Sequence, residues 1–518
     1  MKKISIDPIT RIEGHMKIEA FLDGNIVKDA RCSGTLYRGF ETILRYRDPR
    51  DAQRITQRVC GVCPAVHCTA STLNLDSAFA VSDKIPDNAR IMRNLVLGSN
   101  YLQSHILHFY HLTALDYVDI TAVAKYNGND PGLKSVKSFI ERGNLAPFVP
   151  RYEGDYRFDT ETNQVLVKHY LMALEMRKLS HEILAIFGGK MPHNATVVPG
   201  GITERPTVDK ITGFLWRLNK IRDFINTIYL PDVLAVATTY PDYFKIGQGP
   251  NNYLCYGAFD LESDNPDYST RKRLFPQGVV MGMKELQPLD TDKITESVKH
   301  SWYDGEDSVH PSKGVTIPNP RKEDAYSWIR SPRYNGTVCE VGPLARWVVA
   351  YFSGDSYVKN AVDKLISDIK IDISSLNSVL GRHAARALDA KYVADKMAEW
   401  VLQLDPDGPA FVEYEIPEEG EGMGIVDGPR GALGHWIRIK EKKIDKYQLV
   451  VPTTWNGSPM DENGQHGPME QALIGTEVRD PSNPFELVRI ARSYDPCLAC
   501  SVHSLDVNGN NIGELKVV

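Results

Sequence analysis

The sequence predicts a mainly α protein with smaller β units (α+β), in which a long-helix bundle forms the core and antiparallel sheets lie at its periphery. Three observations lead there. Apolar residues recur every three or four positions through 64–126, 160–188, 207–240 and 355–403, the period of buried helices. The start of the chain alternates apolar and polar residues instead, as a half-buried strand does, and 409–455 holds further strand-like runs. No internal repeat or low-complexity linker marks a boundary, so residues 1–518 read as one large unit.

Taken in order, residues 1–57 form a β-rich part: "HMKIEAFLDGNIVKDARCSGTLY" (15–37) alternates around Asp23-Gly24, a hairpin turn signal. Residues 58–240 form the helical core, with "NQVLVKHYLMALEMRKLSHEILAIF" (163–187) as its longest periodic run. Residues 241–354 are rich in Gly, Pro, Asn and aromatics and predict an irregular insertion over the bundle. Helical periodicity returns at 355–403. Residues 404–503 are β-rich again, with "EEGEGMGIVDGPRG" (418–431) expected as a loop between strands and "KYQLVVPTTWN" (446–456) as a buried strand. Residues 504–518 stand apart as an extension.

Composition excludes several classes. Sixty basic and 66 acidic residues, with no long run of either sign, argue against a nucleic-acid or anionic-lipid surface. The N-terminus "MKKISIDPITRIEGH" places Asp7, Arg11 and Glu13 where a cleavable signal needs an apolar stretch, and no run approaches the twenty or so residues of a membrane helix. Work at or beyond a membrane would therefore depend on another chain. Eight cysteines are too few to staple a chain of this length with disulfides.

Five of those cysteines cluster. "RVCGVCPAVHC" (58–68) holds Cys60, Cys63 and Cys68, and "DPCLAC" (495–500) holds Cys497 and Cys500 at the same two-residue gap. Such a gap lets both sulfurs turn toward one metal, so two pairs make a four-thiolate site. Pro64 after Cys63, and Asp495-Pro496 before Cys497, predict helix starts at both places, where thiolates are favoured. A structural four-cysteine zinc site is the plain reading. Against it stands the separation of the pairs at opposite ends of the chain: a metal held there is buried where the ends meet, the setting of a catalytic centre with soft ligands. Cys32, Cys68, Cys255 and Cys339 read as small buried apolar residues.

The two cysteine motifs resemble the signatures of the large subunit of nickel-iron hydrogenases. Further matches fall between them in that family's order: "DPITRIEGH" (7–15), "YRGFETILRYRDPRDA" (37–52), "PDNARIMRNL" (86–95), "GGKMPHN" (188–194), "EVGPLAR" (340–346), "GPRGALGHW" (428–436), "YQLVVPTTWN" (447–456) and "DPCLACSVH" (495–503). The resemblance spans almost the whole chain and implies a catalytic subunit that cleaves H2 reversibly and heterolytically. It implies Cys60 and Cys497 as terminal nickel ligands, and Cys63 and Cys500 as bridges to an iron carrying carbon monoxide and cyanide. Cys497 would take the proton, Glu13 would be the first carboxylate of its relay, and Arg430 would place a guanidinium beside the metals; apart from the resemblance, Arg430 reads plainly as one half of a buried salt bridge with Asp495, and the two readings are compatible. His67 would donate to a bridging sulfur, and Val62 and Leu112 would narrow the gas path. Glu41, the carbonyl of Leu449 and His503 would hold a second ion, magnesium or another divalent cation.

Two positions depart from the family's pattern. Gly428 stands where Ala is commoner, and Ser104 stands where many relatives carry an Asp that pairs with the arginine. With no cysteine cluster of ferredoxin type, the chain requires an iron-sulfur small subunit to carry electrons away. A periplasmic or membrane-associated place through that partner fits better than a free cytoplasmic one. The resemblance also implies a maturation endopeptidase that cuts between His503 and Ser504. Two rivals stay open: an H2-sensing regulatory relative with the same ligands and slow turnover, and a non-enzymatic zinc protein.

Overall fold

The computed structural model describes residues 1–143, 145, 148, 151, 153–267 and 270–501, the side chains of 500 and 501 excepted. The chain begins as expected with an antiparallel sheet of β1 (Lys2–Ile6), β2 (Met16–Asp23) and β3 (Ile26–Gly34), ordered 1-2-3. Its hairpin turns at Gly24, whose φ of 59° is one glycine adopts without strain. Two short helices, α1 (Phe40–Leu44) and α2 (Asp51–Thr56), follow within the stretch read as β-rich. Each has under two turns, too little for a 3.6-residue period to show.

The core helices come next: α3 (Pro64–Ala78), α4 (Asp87–Ile106), α5 (Pro131–Glu141), α6 (Thr160–Gly188), α7 (Val208–Phe224) and α8 (Leu230–Thr239). α4 packs between α6 and α11 (Val379–Val401), and α7 closes against the same two helices. Beyond Ile106, α4 runs into a π-helical turn, Leu107–Thr113, a wider winding found often near functional sites. The segment 241–342 is the expected irregular insertion, built of short ladders such as β4 (Ile294–Ser297) against β5 (Ser331–Tyr334). Its last residues depart from expectation, because Pro343 opens a regular helix, α9 (Pro343–Phe352). α10 (Ser356–Ile369) precedes α11.

The second sheet corrects the reading of 418–431 as a loop. β6 (Glu419–Gly428), β7 (Gly431–Lys440) and β8 (Lys443–Val450) form an antiparallel meander. The glycines that looked like loop signals let α3 lie directly on β6. A Cβ at Gly424 would stand 2.0 Å from the Ala70 carbonyl oxygen, one at Gly422 2.2 Å from that of Asn74, and one at Gly428 2.7 Å from Val66. Val66, Ala70 and Asn74 repeat every four residues along α3, so the helix ridge rests on a strand face stripped of side chains. Gly428, the departure from Ala, is thus the residue that leaves room for Val66. The "PTTWN" end of the expected buried strand is instead a short helix, α12 (Pro452–Asn456), with α13 (Pro468–Leu473), α14 (Phe485–Ser493) and the four-residue α15 (Leu498–Ser501) after it. Most of the buried apolar residues join in one continuous core, and Cys60, Cys63 and Cys497 belong to it. Among the described residues no helix is long and apolar enough to cross a membrane.

Candidate metal centre

Cys60 sits in extended backbone after a short turn, and Cys63 is the N-cap of α3, so the "CGVC" segment turns both sulfurs in at the helix start. The amides of Val62 and Cys63 point at Cys60 Sγ, at 3.2 and 3.3 Å, donors that favour a thiolate. The loop is fixed from behind: Asn100 and Gln103 of α4 donate to the Val62 carbonyl at 2.9 and 2.6 Å. Leu112 lies half-buried in the π-helical turn, and Val62 is likewise half-buried.

A helix starts beside the C-terminal pair as expected, at Leu498 directly after Cys497, but Asp495 is not its cap: its φ of 54° bends the chain sharply. Cys497 instead pairs by its main chain with Glu13. Leu498 N donates to the Glu13 carbonyl at 2.7 Å, and Glu13 N to the Pro496 carbonyl at 3.3 Å. Gly14, with φ 79°, permits this approach, since a Cβ there would stand 2.7 Å from Ala499 N. Thr453 of α12 accepts the Cys497 amide at 2.9 Å. Arg38 ties the two motifs together, donating to the carbonyls of Val59 at 2.9 Å and Ala499 at 3.4 Å.

The result is a cluster of three buried thiols, Cys60, Cys63 and Cys497, with their sulfurs all within 4.8 Å of one another and those of Cys60 and Cys497 3.3 Å apart. Cys500 lies on α15 in the same segment, and its side chain and His503 fall outside the described residues. Glu13 Oε2 lies 3.2 Å from Cys497 Sγ and accepts the Ala499 amide at 2.9 Å. Burial, aided by the charge of Cys60, lifts its carboxyl from 4.5 to about 7.

Arg430, 4% exposed, lies beside the cluster on the tight turn between β6 and β7. Its Nη2 is 3.0 Å from Asp495 Oδ1, an ion pair whose angles miss hydrogen-bond geometry. None of its three guanidinium nitrogens has a hydrogen-bond partner among the described residues. Burial opposes its charge, but Asp495 and the three thiolates hold its pKa well above the ordinary arginine range. Ser104 is fully buried and its Oγ has no hydrogen-bond partner among the described residues, where the counter-charge of Arg430 is Asp495. His67 is buried and faces His435, Nδ1 to Nε2 at 3.4 Å, with Tyr447 beyond; burial drops its pKa to about 4, so it is neutral.

Glu41, the residue expected at the second ion, is buried on α1. Its Oε2 meets Thr316 and, at 3.2 Å, Arg330 Nη2. Leu449 presents its N–H to Glu41 Oε1 at 3.5 Å. Arg330 also holds Glu296 and Gln448. Sequence reasoning missed Arg38, Thr453, Asn100, Gln103 and Glu296. The first two lie inside quoted motifs, where their types and positions were the available signal; the others carry no local pattern.

The chain matches the nickel-dependent hydrogenase family over residues 38–503, and a HoxL-like segment over 3–33. It is 43% identical over 523 residues to the periplasmic [NiFeSe] hydrogenase large subunit of Desulfomicrobium baculatum, covering 97% of this chain and 95% of that one. It is 38% identical to the uptake hydrogenase large subunit of Bradyrhizobium diazoefficiens, over 100% and 97% of the two chains. Its fold superposes on the Ni-Fe-Se hydrogenase of D. vulgaris Hildenborough with a TM-score of 0.86 at 44% identity, covering 97% of this chain and 100% of the other. A buried thiol cluster assembled from both chain ends, on this fold and at these identities, defines a metalloenzyme subunit of one kind: the chain belongs to the nickel-dependent hydrogenase family, as a large, catalytic subunit.

The main-chain pairing at Glu13 yields a test. Gly14→Ala puts a Cβ into Ala499 N at a positive φ, so the C-terminal segment must shift; a destabilisation of ~1–3 kcal/mol and a loss of most bound nickel are expected. Thermal unfolding with metal analysis of the purified variant checks both.

Proposed function

We propose that the centre heterolyses H2 with Cys60 and Cys497 as terminal nickel ligands and Cys63 and Cys500 as bridges to an iron that carries carbon monoxide and cyanide. The convergence of Cys60, Cys63 and Cys497 sulfurs within 4.8 Å, with a carboxylate 3.2 Å from one of them, is the observation that supports it. The donor set suits a soft, thiolate-loving metal pair, and the guanidinium nitrogens of Arg430, without a hydrogen bond among the described residues, suit acceptors such as cyanide nitrogens. When bound, the nickel-iron centre supplies the soft, redox-active acceptor that heterolysis requires.

The chain's own residues handle the proton. Cys497 Sγ is the base placed to receive it, and Glu13 Oε2 is the next acceptor, within hydrogen-bond reach. With a pKa of about 7 the carboxyl is divided between its two forms at neutral pH, as a two-way relay needs. The Ala499 amide fixes its orientation. Arg430 holds a permanent positive charge over the cluster, in a site dry enough for that charge to act at full strength. His67, neutral, is held by His435 in a place to steady the sulfurs rather than to carry charge. Val62 and Leu112 narrow the approach for gas.

Glu41, the Leu449 carbonyl and His503 would hold a second divalent ion, magnesium by preference, with Glu41 as the anionic ligand. Electrons leave through an iron-sulfur small subunit, the partner that large-subunit relatives imply. The periplasmic relative supports a periplasmic or membrane-associated location reached with that partner. Removal of residues 504–518 by a maturation endopeptidase is supported by the family match ending at 503.

Glu13→Gln keeps the shape and the Ala499 contact but loses the titratable proton. Nickel content should hold while H2/D2O isotope exchange falls ~100-fold or more; near-normal exchange would move the relay elsewhere. Intact-mass measurement of the active, nickel-loaded protein should give a chain ending at His503. Val518 still attached in the fully active fraction would show that no cut is needed.

A further inference from the structure

The guanidinium of Arg430 makes no hydrogen bond among the described residues, and its contact with Asp495 at 3.0 Å is an ion pair only. A long side chain held so loosely at its tip takes its direction from its backbone. That backbone is half of a two-residue turn: Gly428 pairs with Gly431 across β6 and β7, leaving Pro429 and Arg430 between them. The position of the charge over the thiols therefore depends on what holds this turn.

The residue that grips it is Arg346, the last of "EVGPLAR", which lies fully buried on α9. Its Nη1 donates to Asp427 Oδ2 at 2.7 Å and to the Gly428 carbonyl at 3.0 Å, the two residues that lead into the turn. Asp427 is held from three other sides. Its N–H donates to the Gly257 carbonyl at 2.8 Å, its Oδ1 accepts the Tyr256 amide at 2.8 Å, and its carbonyl accepts the Tyr101 hydroxyl at 2.7 Å. The start of α9 also presses on the far side of the turn: a Cβ at Gly431 would stand 2.4 Å from the amide nitrogen of Gly342, the N-cap of α9, and one at Gly342 3.1 Å from the Arg430 carbonyl oxygen. Arg346 is itself braced by Asp389 of α11, through Nη2 at 2.8 Å and Nε at 3.3 Å, and Asp389 by His105 of α4 at 2.7 Å. Three core helices thus converge on one turn.

Stability alone does not account for this network. A buried ion pair stabilises little beyond offsetting the desolvation of its charges, and well-packed apolar residues of the same volume often serve a fold as well. What a planar guanidinium supplies is geometry: it spans two carboxylates and a carbonyl at fixed angles, which lysine cannot do. We infer that Arg346 is the positioning residue of Arg430, clamping the β6–β7 turn to α9 so that the Arg430 charge stays over the thiol cluster. The inference rests on the reading of Arg430 as the cation that faces the ligands of the metal pair.

The test uses the nickel-loaded complex with its small subunit and three variants, followed by infrared spectroscopy, metal analysis and H2/D2O exchange. Arg346→Lys keeps the buried positive charge and loses the fork that spans Asp389, Asp427 and Gly428. Tyr101→Phe removes only the hydroxyl on the Asp427 carbonyl, and Arg430→Lys alters the cation itself. In Arg346→Lys, nickel and iron should hold while the cyanide bands shift or broaden more than the carbon monoxide band, since carbon monoxide accepts hydrogen bonds poorly. Exchange should fall ~10–100-fold, the scale of a misplaced charge near the reacting atoms. Tyr101→Phe should move the same bands in the same direction by less. Wild-type cyanide bands in metal-loaded Arg346→Lys would overturn the inference however far its melting temperature drops, because a merely structural role predicts that result. If Arg346→Lys does not load with metal, Tyr101→Phe decides, and wild-type bands and exchange there overturn the clamp. If Arg430→Lys itself leaves the cyanide bands in place, the reading of Arg430 fails and takes the inference with it; a shift there without one in Arg346→Lys refutes the clamp alone.

Discussion

Everything at the centre depends on one main-chain contact between the ends of the chain. Residue 13 pairs in parallel with residues 496–498, and that pairing, made close by Gly14, carries Cys497 into van der Waals range of Cys60. No local rule could bring those sulfurs together. The loop between them is more than four hundred residues long, so its closure is entropically costly and must be met by the whole fold. The helix bundle and the β6–β8 meander are that fold. α3 fixes one cysteine pair, β6 lies under α3 on its glycine face, and the β6–β7 turn holds Arg430 over the thiols.

The same contact explains the unusual burial of charge. Arg430 and Asp495 sit in the core with fewer hydrogen bonds than such groups normally make, Arg430 with none within the described residues, and the half-buried Glu13 carboxylate lies against the same cluster. Left so, these groups would weaken the fold. Their arrangement becomes sensible once the cluster holds a metal pair with anionic and diatomic ligands. On the proposed reading the carboxyl would face a sulfur that takes the proton, and the guanidinium would face the negative ligands. Function and stability pull against each other here, and Arg38 and Thr453, whose side chains hydrogen-bond main-chain groups of the two cysteine segments, restore rigidity from outside the metal shell.

The long amphipathic helices and the first hairpin were legible in the sequence because their periods, 3.6 and 2, repeat over enough residues to be read. Failures fell where a residue type carries two meanings. The alternating glycines of β6 look like loop signals and are instead a helix-docking face, which the four-residue repeat Val66, Ala70, Asn74 could have disclosed. Asp495-Pro496 looks like a helix cap and is a left-handed bend. The cysteine pairs were readable as a metal site by spacing alone, and their division of roles only through family resemblance. Glu13 and Arg430 are single residues without a period, and the buried pair of Glu296 and Arg330 forms only in three dimensions.

Infrared spectroscopy of the purified, metal-loaded protein bears most directly on the claim that these thiols hold a nickel-iron pair for H2 activation. The account predicts bands from one iron-bound carbon monoxide and from cyanide, shifting between the H2-reduced and oxidised states. Nickel- or zinc-loaded protein that lacks those bands would contradict it.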